Sequence, residues 1–189
     1  MEGLKEQIDM LKYLKESGVL NEDTGKEIDE AITHMAKALQ NDGKLIIKFI
    51  NKSDNEDPKY EKFGDSGFDL RANESGSLKP LERKLVPTGL YFELPETFEL
   101  QIRPRSGLAY KNGITVLNSP GTVDNGYTGE VKVLLVNLSN EEFTWELGDR
   151  IAQGVVVNRL GQEYSNLIKV EGLSQTERGE GGFGSTGTK

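Results

Sequence analysis

The chain has no cysteine, one histidine and one tryptophan in 189 residues. Without cysteine there is no disulfide framework and no thiolate metal site. The lone histidine, His34, sits beside Met35 in an amphipathic N-terminal stretch and reads as packing or surface. Any catalysis must therefore proceed without a histidine base. No apolar run approaches the roughly 20 residues of a membrane span. The N-terminus, Met1-Glu2-Gly3-Leu4-Lys5-Glu6, lacks the basic start and apolar stretch of a signal peptide. These absences predict a cytoplasmic protein without a membrane partner. Positive charge is also short: 23 Lys and Arg face 31 Asp and Glu, giving a formal charge of -8. That balance argues against a general nucleic-acid binder, and an anionic ligand would need a locally basic pocket.

Two periodicities divide the chain. Residues 1–42 read as an α-helical hairpin. Leu4, Ile8, Leu11 and Leu14 share one helical face, and Gly18 suits a stop. Asp23 or Thr24 would cap a second helix, with Glu27 in capping-box position after Thr24. Ile28, Ile32, Met35 and Leu39 form its stripe, and Asn41-Asp42-Gly43 ends it. Such a hairpin packs on its own body or a neighbouring subunit, or offers a docking surface to another protein. From Lys44 the signal changes to short strands between Gly, Pro and Asn turns. The expected strands are Leu45–Ile50, Lys84–Pro87, Leu90–Leu94, Phe98–Arg103, Ile114–Leu117, Glu130–Leu138 and Ile151–Val157. This pattern predicts an all-β sandwich or barrel over residues 43–172, followed by a glycine-rich arm at 173–189.

Five segments concentrate polar chemistry. In Asp65-Ser66-Gly67-Phe68-Asp69-Leu70-Arg71-Ala72, Asp69 lies between two apolar residues that would fix it. In Arg103-Pro104-Arg105-Ser106-Gly107, Pro104 stiffens the approach and Ser106-Gly107 frees backbone N–H groups. Arg105 would reach an anion or a carboxylate such as Asp69. The run Asn118-Ser119-Pro120-Gly121-Thr122-Val123-Asp124-Asn125-Gly126-Tyr127 contains a type I′ hairpin signal at Asn125-Gly126. It would hold Asp124 and Tyr127 beside a tight turn, the carboxylate able to act as a base on water. Leu147-Gly148-Asp149-Arg150-Ile151-Ala152-Gln153 leads into a buried strand on which Gln153 needs a polar partner. Finally, Arg178-Gly179-Glu180-Gly181-Gly182-Phe183-Gly184-Ser185-Thr186-Gly187 places a cation, a ring and two hydroxyls on a bendable backbone. That composition suits phosphate and a base. None of these segments supplies a metal cage.

Taken in order over residues 44–189, the segments resemble the five motifs of the trimeric dUTP pyrophosphatases (dUTPases). The resemblance implies a distorted jelly-roll-like β fold in a homotrimer whose active sites gather residues from all three subunits. It implies hydrolysis of dUTP to dUMP and pyrophosphate, which limits uracil incorporation into DNA and supplies dUMP for thymidylate synthesis. Carried over by position, Asp124 orients and deprotonates the attacking water, and Tyr127 packs under the deoxyribose. Asn118 and the backbone of Gly121, Thr122 and Val123 read the uracil. Arg105, Ser106, Gly107 and Gln153 hold the phosphates, and Lys132 matches a nucleotide-contact position. Arg178, Ser185 and Thr186 grip the γ-phosphate beside Gly184, and Phe183 stacks on the base. Mg2+ would be held by substrate phosphates and water rather than directly by protein. Asp69 would position Arg105 or the outer shell of that ion.

Two residues depart from the family pattern: Thr128, where many relatives have Arg, and Gly154, where a larger apolar residue is usual. The N-terminal hairpin is not part of the common fold. It would cap the trimer, exchange between subunits or bind a separate partner. Two rival readings share the pattern: dCTP deaminase, and a nucleotide-binding protein that controls a partner through the hairpin. The deaminase would be expected to carry a proton-shuttling glutamate, where the turn here presents Asp124-Asn125-Gly126-Tyr127.

Overall fold

A computed structural model describes residues 2–17, 24–26, 28–29, 31–33, 44–159, 161 and 165–181. The chain forms two compact units, residues 1–159 and 160–189. The first begins with helix α1 (Glu2–Glu16). Ile8 on this helix is buried, whereas Met10, Tyr13 and Leu14 are exposed. Residues 24–26, 28–29 and 31–33 are also helical, in line with the expected second helix. Lys15 pairs with Asp29 between the two helical stretches. Glu27, His34, Met35 and Leu39 lie outside the described residues. No described helix is long and apolar enough to cross a membrane.

The β body contains ten strands: β1 (Lys48–Asn51), β2 (Phe68–Arg71), β3 (Gly76–Leu78), β4 (Arg83–Glu93), β5 (Phe98–Arg103), β6 (Ile114–Val116), β7 (Gly121–Val123), β8 (Val131–Asn137), β9 (Phe143–Trp145) and β10 (Arg150–Asn158). A short helix, α2 (Ser106–Asn112), separates β5 from β6. Two four-stranded sheets run in the orders β1-β4-β8-β6 and β2-β10-β5-β7, with a small β3-β9 pair. Every pairing is antiparallel. Period-2 alternation drives inward residues of both sheets into one core. Leu70, Leu100, Ile102, Val86, Val133, Leu135, Ile114 and Ile151 meet there. The predicted all-β, jelly-roll-like class is the observed one.

Several local expectations change. Lys84–Pro87 and Leu90–Leu94 are parts of one strand, β4, carrying a register shift between Pro87 and Leu90. Proline removes one ladder donor, but the bulge is stitched from the side. The buried Thr88 hydroxyl donates to Val131 O and accepts from Leu90 N–H, while Gly89 N–H donates to Glu130 Oε1. Asn125-Gly126 is not a type I′ hairpin, because neither residue has positive φ. Its flanking strands never pair: β7 joins β5, and β8 joins β4 and β6. The turn instead carries the chain from one sheet to the other.

Gly154 has a packing reason. A Cβ there would stand 2.8 Å from two ring carbons of Phe68 and 3.1 Å from Leu100 Cδ1. The missing side chain is filled by the Phe68 ring, which also packs 5.8 Å from Phe92 and edge-on 5.9 Å from Tyr60, centroid to centroid. Gly154→Ala should therefore lower stability by about 1–3 kcal/mol through overpacking. Urea unfolding should show Phe68→Leu costing less in the Gly154→Ala background than alone; additive losses would contradict this packing.

Candidate active site

The three strands β2, β10 and β5 place a polar row across one sheet. Gln153 pairs in register with Asp69 on one side and Arg103 on the other. Directly opposed residues project to the same face, so Asp69, Gln153 and Arg103 share it. Asp69 is held as the sequence implied, between buried Phe68 and Leu70. Beyond Arg103, Pro104 lacks an N–H and ends the strand. Arg105 stays extended at φ -85 and ψ 127, and α2 starts at the next residue. The helix stops at Gly113, which adopts the left-handed conformation at φ 66 and returns its N–H to Ala109 O. Ser106-Gly107 open this helix, an element that the Arg-Ser-Gly pattern does not announce.

This local folding builds a salt-bridged hub. Arg105 Nε lies 3.0 Å from Asp69 Oδ1, and Arg150 Nη1 lies 3.3 Å from Asp69 Oδ2. Arg105 Nη1 also donates to Arg150 O at 3.0 Å. Gln153 Nε2 donates to Pro104 O at 3.0 Å, which pins the turn between β5 and α2 to β10. The hub forms part of the wall of a cleft of about 590 Å³. Its charged lining is balanced: Glu61, Asp65 and Asp69 against Arg105, Lys111 and Arg150. Asp69, Arg105, Ser106, Gly107 and Gln153 from the sequence reading all meet here. Arg150 and Lys111 were not singled out. Arg150 reaches Asp69 across 81 positions of sequence, a contact no local pattern announces. Lys111 follows Gly107 by one helical turn, a spacing that points to the same face once α2 is known.

A second constellation sits elsewhere on β5. Ile102 pairs with Gly121 and Leu100 with Val123, so the continuing register sets Asp124 opposite Glu99. At about 3.3 Å per residue, the stretch from Glu99 to Arg105 is about 20 Å long. Independent bonds agree on this placement. Arg159 Nη2 donates to Asn125 Oδ1 at 3.0 Å and to Glu96 O at 2.8 Å, tying the turn to the start of β5. Tyr127 N–H closes the turn onto Asp124 O at 3.0 Å. Among the described residues, the exposed Asp124 carboxylate has no hydrogen-bond or ion-pair partner. The half-exposed Tyr127 donates its hydroxyl to Glu130 O at 3.0 Å. A Cβ at Gly129 would lie 2.6 Å from that ring, so only glycine lets the tyrosine fold back. Asn118 is exposed and lies against buried Gly121, and Thr122 is exposed between buried neighbours. Lys132 on β8 is exposed and 3.6 Å from Glu130.

In the second unit, Arg178 Nε donates to Gly181 O at 2.9 Å within a tight local turn. Phe183, Gly184, Ser185 and Thr186 lie outside the described residues. Among the described residues, no group of three or more His, Cys, Asp or Glu is placed to hold a metal ion. Both Asp69 oxygens already face guanidinium groups. These donors do not form a protein cage for a divalent cation.

The dUTPase family model matches residues 53–187. The deoxyuridine 5'-triphosphate nucleotidohydrolase of Finegoldia magna is 53% identical over 147 residues, covering 76% of this chain and 99% of that protein. A solved mutant dUTPase of Staphylococcus bacteriophage 80alpha with dUpNHpp aligns at a TM-score of 0.66 and 25% identity, covering 75% of this chain and 98% of that one. A mutant dUTPase from phage phi11 of S. aureus, whose structure is described as revealing the coordination of a structural Mg(II) ion, aligns at a TM-score of 0.60 and 20% identity. It covers 69% of this chain and 99% of that one, and the likeness is one of fold.

The hub carries an energetic prediction. The Asp69 and Arg105 side chains are 20% and 28% exposed, whereas that of Arg150 is 46% exposed. A double-mutant cycle on unfolding free energy should give a coupling of about 1–2 kcal/mol for Asp69–Arg105 and below about 1 kcal/mol for Asp69–Arg150. Equal couplings would remove Arg105 from its position as the principal partner.

Proposed function

The chain belongs to the dUTPase family, and from that premise we propose how its residues hydrolyse dUTP to dUMP and pyrophosphate. The observation that carries the proposal is the separation along β5. One end presents a charge-balanced, hydrogen-bonding cleft, and the other presents a carboxylate unpaired among the described residues beside an aromatic ring. A triphosphate tail needs the first and a nucleoside with its attacking water needs the second. The two cannot converge on one phosphorus atom from about 20 Å apart. The cleft of one copy therefore meets the Asp124 turn of another in a homotrimer.

In that assembly, Arg105, Ser106, Gly107 and Gln153 bind the phosphate chain. Asp69 holds Arg105 in position. Asn118 and the backbone of Gly121, Thr122 and Val123 read the uracil, while Tyr127 packs against the deoxyribose and Lys132 contacts the nucleotide. Asp124 accepts a proton from water as its oxygen bonds to the α-phosphorus. The bond from that phosphorus to the bridging oxygen breaks, and pyrophosphate leaves with the electron pair. The arm of a further copy, residues 173–189, brings Arg178, Phe183, Gly184, Ser185 and Thr186 to the phosphates and base. Since positioning and charge neutralisation dominate such reactions, a glycine-rich arm that orders on binding suits the task. Mg2+, when bound, would be held by the substrate phosphates and water and would offset their charge, with Asp69 positioning Arg105 or the outer shell of that ion. The reaction belongs to the cytoplasm, where it limits uracil entry into DNA and supplies dUMP. Residues 1–42 form an appendage that serves as a trimer cap, an exchanged element or a partner-binding module.

The direct assay is pyrophosphate release across dUTP, UTP, dTTP and dCTP with products separated. Release should occur from dUTP alone, and Asp124→Asn should lower it by about 10²–10⁴-fold. Conversion of dCTP to a uracil nucleotide would replace this reading with deamination. Mixing tests the shared site. Asp124→Asn and Arg105→Ala trimers, each inactive, should recover about a quarter of wild-type activity when unfolded and refolded together at equal ratio. No recovery would place both groups in one chain's site. Removing residues 1–42 should leave hydrolysis and the trimer intact; loss of either would make the appendage part of the catalytic assembly.

A further inference from the structure

We propose that Lys111 binds the pyrophosphate end of the substrate and selects for a triphosphate over shorter nucleotides; the proposal rests on the dUTP reading above. The cleft offers three cations, and two are already engaged. Arg105 and Arg150 both pair with Asp69, at 3.0 and 3.3 Å. Lys111 is exposed, lines the same cleft and has no ion pair or hydrogen bond among the described residues. Among the described residues, it is the cleft's one cation that is not already paired with a carboxylate.

Its direction follows from helix geometry. Lys111 lies four residues after Gly107 on α2, and side chains one turn apart share a face. Helical side chains lean toward the N-terminal end of their helix. Lys111 and Gly107 thus share the face that lines the cleft, and the space over Gly107 is open, since an added Cβ there would meet nothing within 4 Å. Among the described residues, the one apolar anchor of this helix against the core is the partly buried Leu108. Lys111 sits about 60° around the helix from Leu108 and about 40° from Gly107, on the cleft side.

The division of the substrate then assigns the phosphates. The α-phosphorus must lie beside the water held by Asp124. The β- and γ-phosphates extend into the Arg105 cleft, under the reach of Lys111. A dUMP molecule ends before that point.

The test compares wild type with Lys111→Gln and Lys111→Arg, measuring dUTP turnover and product inhibition by pyrophosphate and by dUMP separately. In Lys111→Gln, KM for dUTP and the inhibition constant for pyrophosphate should both rise about tenfold. The constant for dUMP should stay at the wild-type value, and Lys111→Arg should restore most of the loss. Unchanged pyrophosphate inhibition in an otherwise active Lys111→Gln enzyme would overturn the proposal. So would a parallel loss of dUMP binding, which would mark Lys111 as a merely structural residue. Wild-type protein that fails to hydrolyse dUTP would instead defeat the underlying functional reading.

Discussion

β7 pairs with β5 from Gly121 to Val123, and that pairing places Asp124 at one end of β5 while Pro104 and Arg105 occupy the other. Strand rise is nearly incompressible, so no loop adjustment closes a gap of about 20 Å. Each end is also separately anchored. Gln153 ties Pro104 to β10, and Arg159 ties Asn125 to Glu96. On the proposed reading, the rigidity that holds these two groups apart in one chain also makes each half a preformed surface. Association then needs to align two rigid halves, which lowers the ordering cost at the moment of binding.

A protein with a formal charge of -8 that binds a polyanion must solve a local problem. The cleft solves it by organisation rather than by excess cation, since its acids and bases are equal in number. Asp69 takes one arginine from α2's leading turn and one from the start of β10, and its carboxylate fixes both. Arg105 Nη1 bonding to Arg150 O closes the loop. Fixed guanidinium groups lose little further entropy on meeting phosphate, whereas free ones would lose rotamer freedom on binding. The balance leaves the net attraction to groups outside the hub, a part the proposed reading gives to Lys111 and to the arm of another copy.

How much of this was readable depends on the distance over which each feature is decided. Asp69 was legible because Phe68 and Leu70 flank it with period-2 burial, a signal contained in three residues. The Arg105–Asp69 pairing was one of two options the residue types allowed. The turn at Asn125-Gly126 was legible as a turn and misread as a hairpin. Its dipeptide reports local bending, but the partner of β7 is chosen by the core, which places it against β5. The break at Pro87-Thr88-Gly89 was misread for a similar reason. Only the distant Val131 carbonyl and the Glu130 carboxylate show that one strand continues through it. Gly154 was noticed as a departure, and its explanation needed the ring of Phe68 from another strand.

The exposed apolar side chains support the proposed assembly from a different direction. Scattered surface hydrophobics are ordinary, but contiguous ones mark surfaces that something covers. Leu45, Ile46, Phe49 and Ile50 are all exposed at or just before β1, an edge strand of its sheet. In the second unit, Leu167, Ile168, Val170 and Leu173 are exposed along a stretch with no helix or strand of its own. An apolar edge strand unprotected by bulge or proline is an aggregation hazard in a monomer. In the proposed trimer, closure would leave no copy of a covered edge free to propagate. The proposed assembly thus has two independent supports among the described residues: the groups separated along β5, and the exposed apolar side chains at and before β1.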